Sequence, residues 1–160
     1  MGGEGHLTGL AGVLPDGYTI ETCPAAEEWW RQAAAALHHG VLLAVDYGLS
    51  ESELFVPERT QGTLRACRQH RAGDDPLADP GEQDLTAHVN LTALRRIGEA
   101  AGLRTEAELS QGQFLTGIAG QAWADPAAFG EWTSHHTRQF QTLTHPGHLG
   151  RAFRVLRQSI

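Results

Sequence analysis

Gly40-Val41-Leu42-Leu43-Ala44-Val45-Asp46-Tyr47-Gly48 is the stretch that decides how this chain folds. Five consecutive apolar residues stop at an acid, an aromatic and a glycine, as does a strand buried on both faces of a parallel sheet. In open α/β sheets ligands collect in the crevice beyond the carboxyl ends of the strands. Asp46, Tyr47 and Gly48 are therefore expected where chemistry is done. The alternative for Asp46 is a turn cap, because Asp-x-Gly is also ordinary turn chemistry.

Upstream, Pro24 fits the first position of a helix with Glu27 and Glu28 in its first turn, His38 and His39 in its last, and Gly40 just past it. Ala26, Trp30, Ala33, Ala34 and Leu37 share one face, so this helix can cover the strand that follows. Before it, Leu14-Pro15-Asp16-Gly17 reads as a turn into a short strand over 18–22. Glycines at 2, 3, 5, 9 and 12 do not make a phosphate-binding loop, since no strand precedes them. Residues 1–15 are expected to be a mobile or incomplete N-terminus.

Downstream, 49–89 is long and rich in Pro, Gly, Asp and Arg, yet Phe55, Leu64, Leu77 and Leu85 recur in it. It reads as an ordered crossover over the strand ends. Asn90 can cap a helix over 91–101, with Leu94, Ile97 and Ala101 inward and Gly102 ending it. Over 103–110 the residues alternate. Leu103, Thr105, Ala107 and Leu109 share one face and Arg104, Glu106, Glu108 and Ser110 the other, as in a half-exposed strand at a sheet edge. Asp125-Pro126 starts a third helix, carrying Phe129, Trp132, His136, Phe140 and Leu143 and stopping before His145-Pro146-Gly147. A last strand is expected over 151–157.

At 160 residues the chain fits one domain or part of one. Its net charge of -7 argues against general affinity for nucleic acid, which rests on neutralising phosphates. All twelve basic residues are arginine, which excludes a Schiff-base or phosphate-loop lysine and fits a GC-rich bacterial genome. Cys23 and Cys67 have neither disulfide-framework nor Cys-x-x-Cys spacing. No apolar run approaches the length of a membrane helix. The sequence reads as soluble and cytoplasmic, with no nucleic-acid or membrane partner.

The densest reactive side chains are Gln69, His70, Asp74, Asp75, Asp84, Thr86 and His88. Turns account for most of the acids, through Asp74-Asp75-Pro76, Asp79-Pro80-Gly81 and Asp84-Leu85-Thr86. They do not account for the two histidines or for Arg65, Arg68 and Arg71. A His and carboxylate metal site has poor spacing: no His-Glu-x-x-His occurs, and the neighbours His135 and His136 point to different helix faces. No metal site is expected. Nucleophilic hydrolysis lacks a Gly-x-Ser-x-Gly elbow, and Cys67 lacks a partner.

The order Gly40-Val-Leu-Leu-Ala-Val-Asp-Tyr-Gly48, Gly62-Thr-Leu-Arg65, Gln69-His-Arg71, Asp75-Pro-Leu77, Asp79-Pro-Gly81, Asp84-Leu-Thr-Ala-His-Val89, Gln111-x-x-Phe-Leu115 and Arg151-Ala-Phe-Arg-Val-Leu156 resembles one family closely. These residues resemble the S-adenosylmethionine-dependent methyltransferases related to the mitochondrial complex I assembly factor and the bacterial MidA proteins. The resemblance implies an α/β chain: the C-terminal part of a Rossmann-like methyltransferase sheet, with a central parallel strand, an antiparallel terminal pair and helices on the faces. Residues 16–160 would be the C-terminal half of that domain, with 111–149 an insertion between its last two strands.

The family's glycine-rich cofactor loop has no counterpart here, so the chain is expected to be a fragment or split-enzyme subunit and its own cofactor-binding residues stay unassigned. S-adenosyl-L-methionine is the implied methyl donor, and a protein carrying a target arginine the implied acceptor. Carboxylates gripping the guanidinium would concentrate electron density on the reacting nitrogen. Asp46 and Asp84 are candidates for that grip, His88 and His70 for proton acceptors, and Tyr47, Gly48, Gln69, Thr86 and Gln111 for shaping the acceptor pocket. The alternative is a non-catalytic interaction module. The strand over 41–46 would lack a parallel neighbour, and its edge is expected to be covered by 18–22, by a homodimer or by a partner chain. Eukaryotic relatives imply a mitochondrial location only by analogy.

Overall fold

The computed structural model describes residues 12–69, 71–73 and 75–160. Residues 1–11, His70 and Asp74 lie outside the described residues. Helix α1 (Pro24–Ala36) leads to strand β1 (Val41–Leu49). The crossover holds helix α2 (Glu51–Leu54) and strands β2 (Arg65–Arg68), β3 (Arg71–Gly73) and β4 (Asp84–Thr86). Strand β5 (Val89–Asn90) runs straight into helix α3 (Leu91–Ala100), followed by β6 (Arg104–Ser110). Helices α4 (Gln111–Ala124), α5 (Pro126–Phe129), α6 (Ser134–Thr144) and α7 (Leu149–Ala152) precede the last strand, β7 (Phe153–Ser159). The main sheet has the order β5-β1-β7-β6, and a separate small sheet has the order β3-β2-β4.

The expected antiparallel pair is present, since β6 runs antiparallel to β7 at the sheet edge. The surroundings of β1 differ from expectation in two ways. Along Val41 to Tyr47 its partner is the antiparallel β7, and parallel pairing is confined to Gly48 and Leu49 against Val89 and Asn90. Among the described residues only one face is covered. Leu42 and Ala44 pack with Trp30, Leu91, Leu94, Ile97 and Leu156 beneath α1 and α3, while Val41, Leu43, Val45 and Tyr47 are 45, 49, 46 and 42% exposed. An unbroken apolar run reports the hydrophobicity of both faces, not what stands over the second one.

Gln158 pins this core. Its side chain is fully buried; it accepts from Trp30 Nε1 at 2.9 Å and donates from Nε2 to Arg95 O and Thr105 Oγ1, both at 2.9 Å. A Cβ on Gly98 would collide with that amide.

Several local expectations are corrected. The stretch 18–22 is no strand: it is anchored by Tyr18 Oη donating to Leu54 O and Val56 O and by two backbone bonds, Tyr18 N to Pro15 O and Thr19 N to Thr60 O. It does not cover the β1 edge. Helix α1 buries Trp30 and Ala34 as read but stops at Ala36, leaving His38 and His39 beyond its last turn. Helix α3 starts at its Asn90 cap, whose Oδ1 accepts from Ala93 N at 3.0 Å, and ends at Ala100 with Ala101 exposed.

A bulge between Thr105 and Ala107 flips the parity of β6, so Leu109 is 36% exposed and Glu108 turns inward to Arg95 at 3.2 Å. The single helix read from Asp125 onward is two, broken by Gly130 at φ +78° and restarted by a Thr133/His136 capping box. Helix α4 is an additional element, opened by a capping box of Ser110 and Gln113. The last strand starts at Phe153, with Arg151 in α7. Among the described residues no helix is long and apolar enough to cross a membrane.

Candidate functional site

Asp46, Tyr47 and Gly48 lie inside β1, not beyond it, because pairing with β5 carries the strand on to Leu49. Asp46 is exposed and its Oδ1 accepts from the adjacent Tyr47 amide at 2.7 Å; with the strand running on to Leu49, no turn follows for it to cap. Gly48 is buried, with Leu91 so close that an added Cβ would stand 2.8 Å from its Cγ. Tyr47 stacks on Phe153 with ring centroids 4.2 Å apart and meets His88 edge-on at 6.5 Å. The structure thus brings Tyr47 and His88 together.

His88 is held there by Thr63, whose Oγ1 accepts from the His88 amide at 2.9 Å. Thr63 is buried and in turn bound by Glu21, a residue the sequence reading passed over. Glu21 Oε2 accepts from Thr63 N at 2.8 Å and Thr63 Oγ1 at 2.6 Å, and Oε1 accepts from Leu64 N at 2.6 Å. Burial pushes the Glu21 carboxyl up, but these hydrogen bonds and Arg65 outweigh it and hold the group below the usual carboxylate range. Burial first, then Arg59 and Arg65, pull the His88 imidazole below its ordinary value against the opposing pull of Glu21. The shift acts in favour of the neutral imidazole, which can accept a proton.

The other candidates lie elsewhere. Arg65–Thr86 and Cys67–Asp84 are pairs of one antiparallel ladder, and the bond from the His88 amide to the Thr63 hydroxyl lies just beyond its end. Four residues of near-extended chain place Asp84 about 13 Å from His88. Thr86 is exposed between them. Gln69, with φ +50°, and Asp84 line an open polar depression of about 330 Å³ with Cys67, Arg68, Gly81, Glu82 and Gln83. Arg68 there is paired to Asp79 at 2.7 Å and Glu82 at 3.6 Å. Gln111 is buried at the start of α4 and donates to Leu143 O at 2.9 Å, tying α4 to α6.

Next to Asp46 in register, Arg154 reaches Glu53, whose carboxylate also accepts from Ser50 N at 3.0 Å and Ser50 Oγ at 2.8 Å. Burial raises the Glu53 carboxyl, and Ser50 and Arg154 more than reverse this, leaving it lowered. A second cleft of about 320 Å³ lies between Trp123, Phe129, Glu131, Trp132 and His136. Among the described residues no three His, Cys, Asp or Glu side chains are grouped as a metal site.

Among the described glycines at positive φ, namely 17, 40, 62, 81, 102 and 130, none follows a strand to open a helix.

Comparison with known proteins gives a consistent answer. The chain is 33% identical over 121 residues to "Protein arginine methyltransferase NDUFAF7 homolog, mitochondrial" of Drosophila melanogaster, covering 73% of this chain and 26% of that protein. It is 39% identical over 85 residues to "Protein arginine methyltransferase NDUFAF7, mitochondrial" of Xenopus tropicalis, covering 51% of this chain and 18% of that protein. The chain thus spans about a quarter or less of the curated relatives it matches. Among solved structures, a "superfamily member and likely methyl transferase" from Burkholderia thailandensis, bound to S-adenosyl-homocysteine, superposes with a TM-score of 0.79 at 31% identity, covering 100% of this chain and 42% of that one. The family model described as "Putative S-adenosyl-L-methionine-dependent methyltransferase" matches residues 4–109, and the chain belongs to that family.

Proposed function

We propose that this chain forms the acceptor side of an S-adenosyl-L-methionine-dependent methyltransferase acting on a protein arginine. The observation that carries the reading is the superposition of the whole chain on a structure that holds S-adenosyl-homocysteine. The curated relatives' names supply arginine as the acceptor. The cofactor would be held jointly with a strand laid along the open edge of β1, supplied by a further segment, a second copy or a partner chain. Residues 16–160 then act as the C-terminal half of the domain, with 111–149 as an inserted helical unit.

In this reading His88 accepts the proton that the arginine nitrogen gives up as it bonds to the methyl group, and the electrons of the broken methyl–sulfur bond stay on sulfur. Tyr47 and Phe153 form the wall against which the guanidinium lies, and Gly48 leaves room for Leu91; Asp46, one residue from Tyr47 in β1, points to the opposite face and does not grip the group on that wall. Asp84, Gln69 and Thr86 hold the chain on either side of the target residue rather than the reacting group. His70 remains a second proton acceptor. The open edge and the exposed apolar face of β1 also suit a non-catalytic interaction module.

Calorimetry with S-adenosyl-homocysteine separates these readings. The chain alone should bind weakly, and a mixture with the N-terminal portion of the Burkholderia relative should bind tightly. Micromolar binding at one site per chain without any addition would overturn the shared-cofactor reading.

A further inference from the structure

The buried Thr63 hydroxyl has one proton to give. Because the His88 amide can only donate to its oxygen, the hydroxyl proton is directed to Glu21. Both Glu21 oxygens are committed as acceptors, one to Leu64 N and the other to the amide and hydroxyl of Thr63. A glutamine there would turn an amino group toward a backbone donor. Gly62 completes the arrangement: its φ is +66°, and a Cβ would stand 2.7 Å from Glu21 Cδ.

We infer that Glu21 is a positioning residue for His88, acting through residues 62–64 and the Thr63 hydroxyl to fix the His88 backbone and so set its side chain beside Tyr47. The catalytic use of this device rests on the methyl-transfer reading; the device itself does not. The groups facing the imidazole are Tyr47 from β1, Arg59 from the loop after α2, Arg65 from β2, and Glu21 from the segment before α1. The two arginines oppose a charge on His88, and Glu21 favours it.

The test is an NMR titration of the histidines in the chain, with His88→Gln assigning the resonance and with Glu21→Gln, Thr63→Val and Thr63→Ser alongside. Wild-type His88 should titrate below the ordinary imidazole value of 6.5. Glu21→Gln should shift it further down, because the negative charge that favours imidazolium is gone. Thr63→Val should speed exchange of the His88 amide about tenfold, the loss of one hydrogen bond. Thr63→Ser should leave it protected.

An unchanged His88 midpoint in folded Glu21→Gln would overturn the inference, as would unchanged amide protection in Thr63→Val. If Glu21→Gln does not fold, the Thr63 pair decides. The readout needs no methyl transfer, so the expected shifts in a chain that transfers nothing would sink the activity and keep the positioning role.

Discussion

Glu21 could not be found from sequence because its partners, Thr63 and Leu64, lie 42 and 43 residues away. The motif Gly62-Thr-Leu-Arg65 was visible, but its role depends on a carboxylate arriving from before α1. His88 and Tyr47 were legible as reactive types, and their proximity became visible only in the fold. Replacing Glu21 by Gln should cost roughly 2 kcal/mol in urea unfolding, since hydrogen bonds to a charged acceptor are lost.

The pH dependence follows from the directions of the shifts. Glu21 and Glu53 are lowered from 4.5 when folded, so their stabilisation is present above 4.5 and is lost as pH falls through the folded values. His88 is also lowered, so below 6.5 the unfolded chain binds more protons and stability falls until the folded value is passed. His88→Gln should flatten the unfolding free energy just below 6.5, and Glu21→Gln should flatten it below 4.5. An unaltered slope in either variant would contradict the assigned environments.

At the scale of elements, those with a local signal were read and those set by distant packing were not. Trp30 and Ala34 gave the buried face of α1, and Asn90 the start of α3. The β6 bulge left no trace in the alternation of 103–110, because the flip at Glu108 and Leu109 is decided by pairing with Leu156 and Val155. The short strands of the second sheet lay among turn residues, where three- and four-residue strands have no periodicity to show. The capping box of Ser110 and Gln113 was there to be read, and Gln113→Ala should destabilise by about 1 kcal/mol. Gly98→Ala improves helix propensity by about 1 kcal/mol. It should nevertheless destabilise by roughly 1–3 kcal/mol, because Gln158 cannot yield without releasing Trp30, Arg95 and Thr105. Thermal unfolding that finds Gly98→Ala more stable would show the Gln158 site to be loose.

For the whole molecule, the antiparallel terminal pair was legible through the family resemblance, whereas the one-sided cover of β1 was not. Antiparallel pairing with β7 satisfies one edge of β1; the other is paired only at Gly48 and Leu49 among the described residues. Amide exchange along Val41 to Tyr47 should therefore alternate between protected and open sites in the chain alone. Covering by a strand-supplying partner should protect both sets. Uniform protection in a monomer would mean that the edge is already occupied. Methyl transfer itself is the most direct test. The chain, mixed with the N-terminal portion of the Burkholderia relative and an acceptor protein, should place label from S-adenosyl-L-methionine on arginine, and His88→Ala should lower the rate about 100-fold or more. A mixture that binds S-adenosyl-homocysteine yet forms no methylarginine would contradict the account.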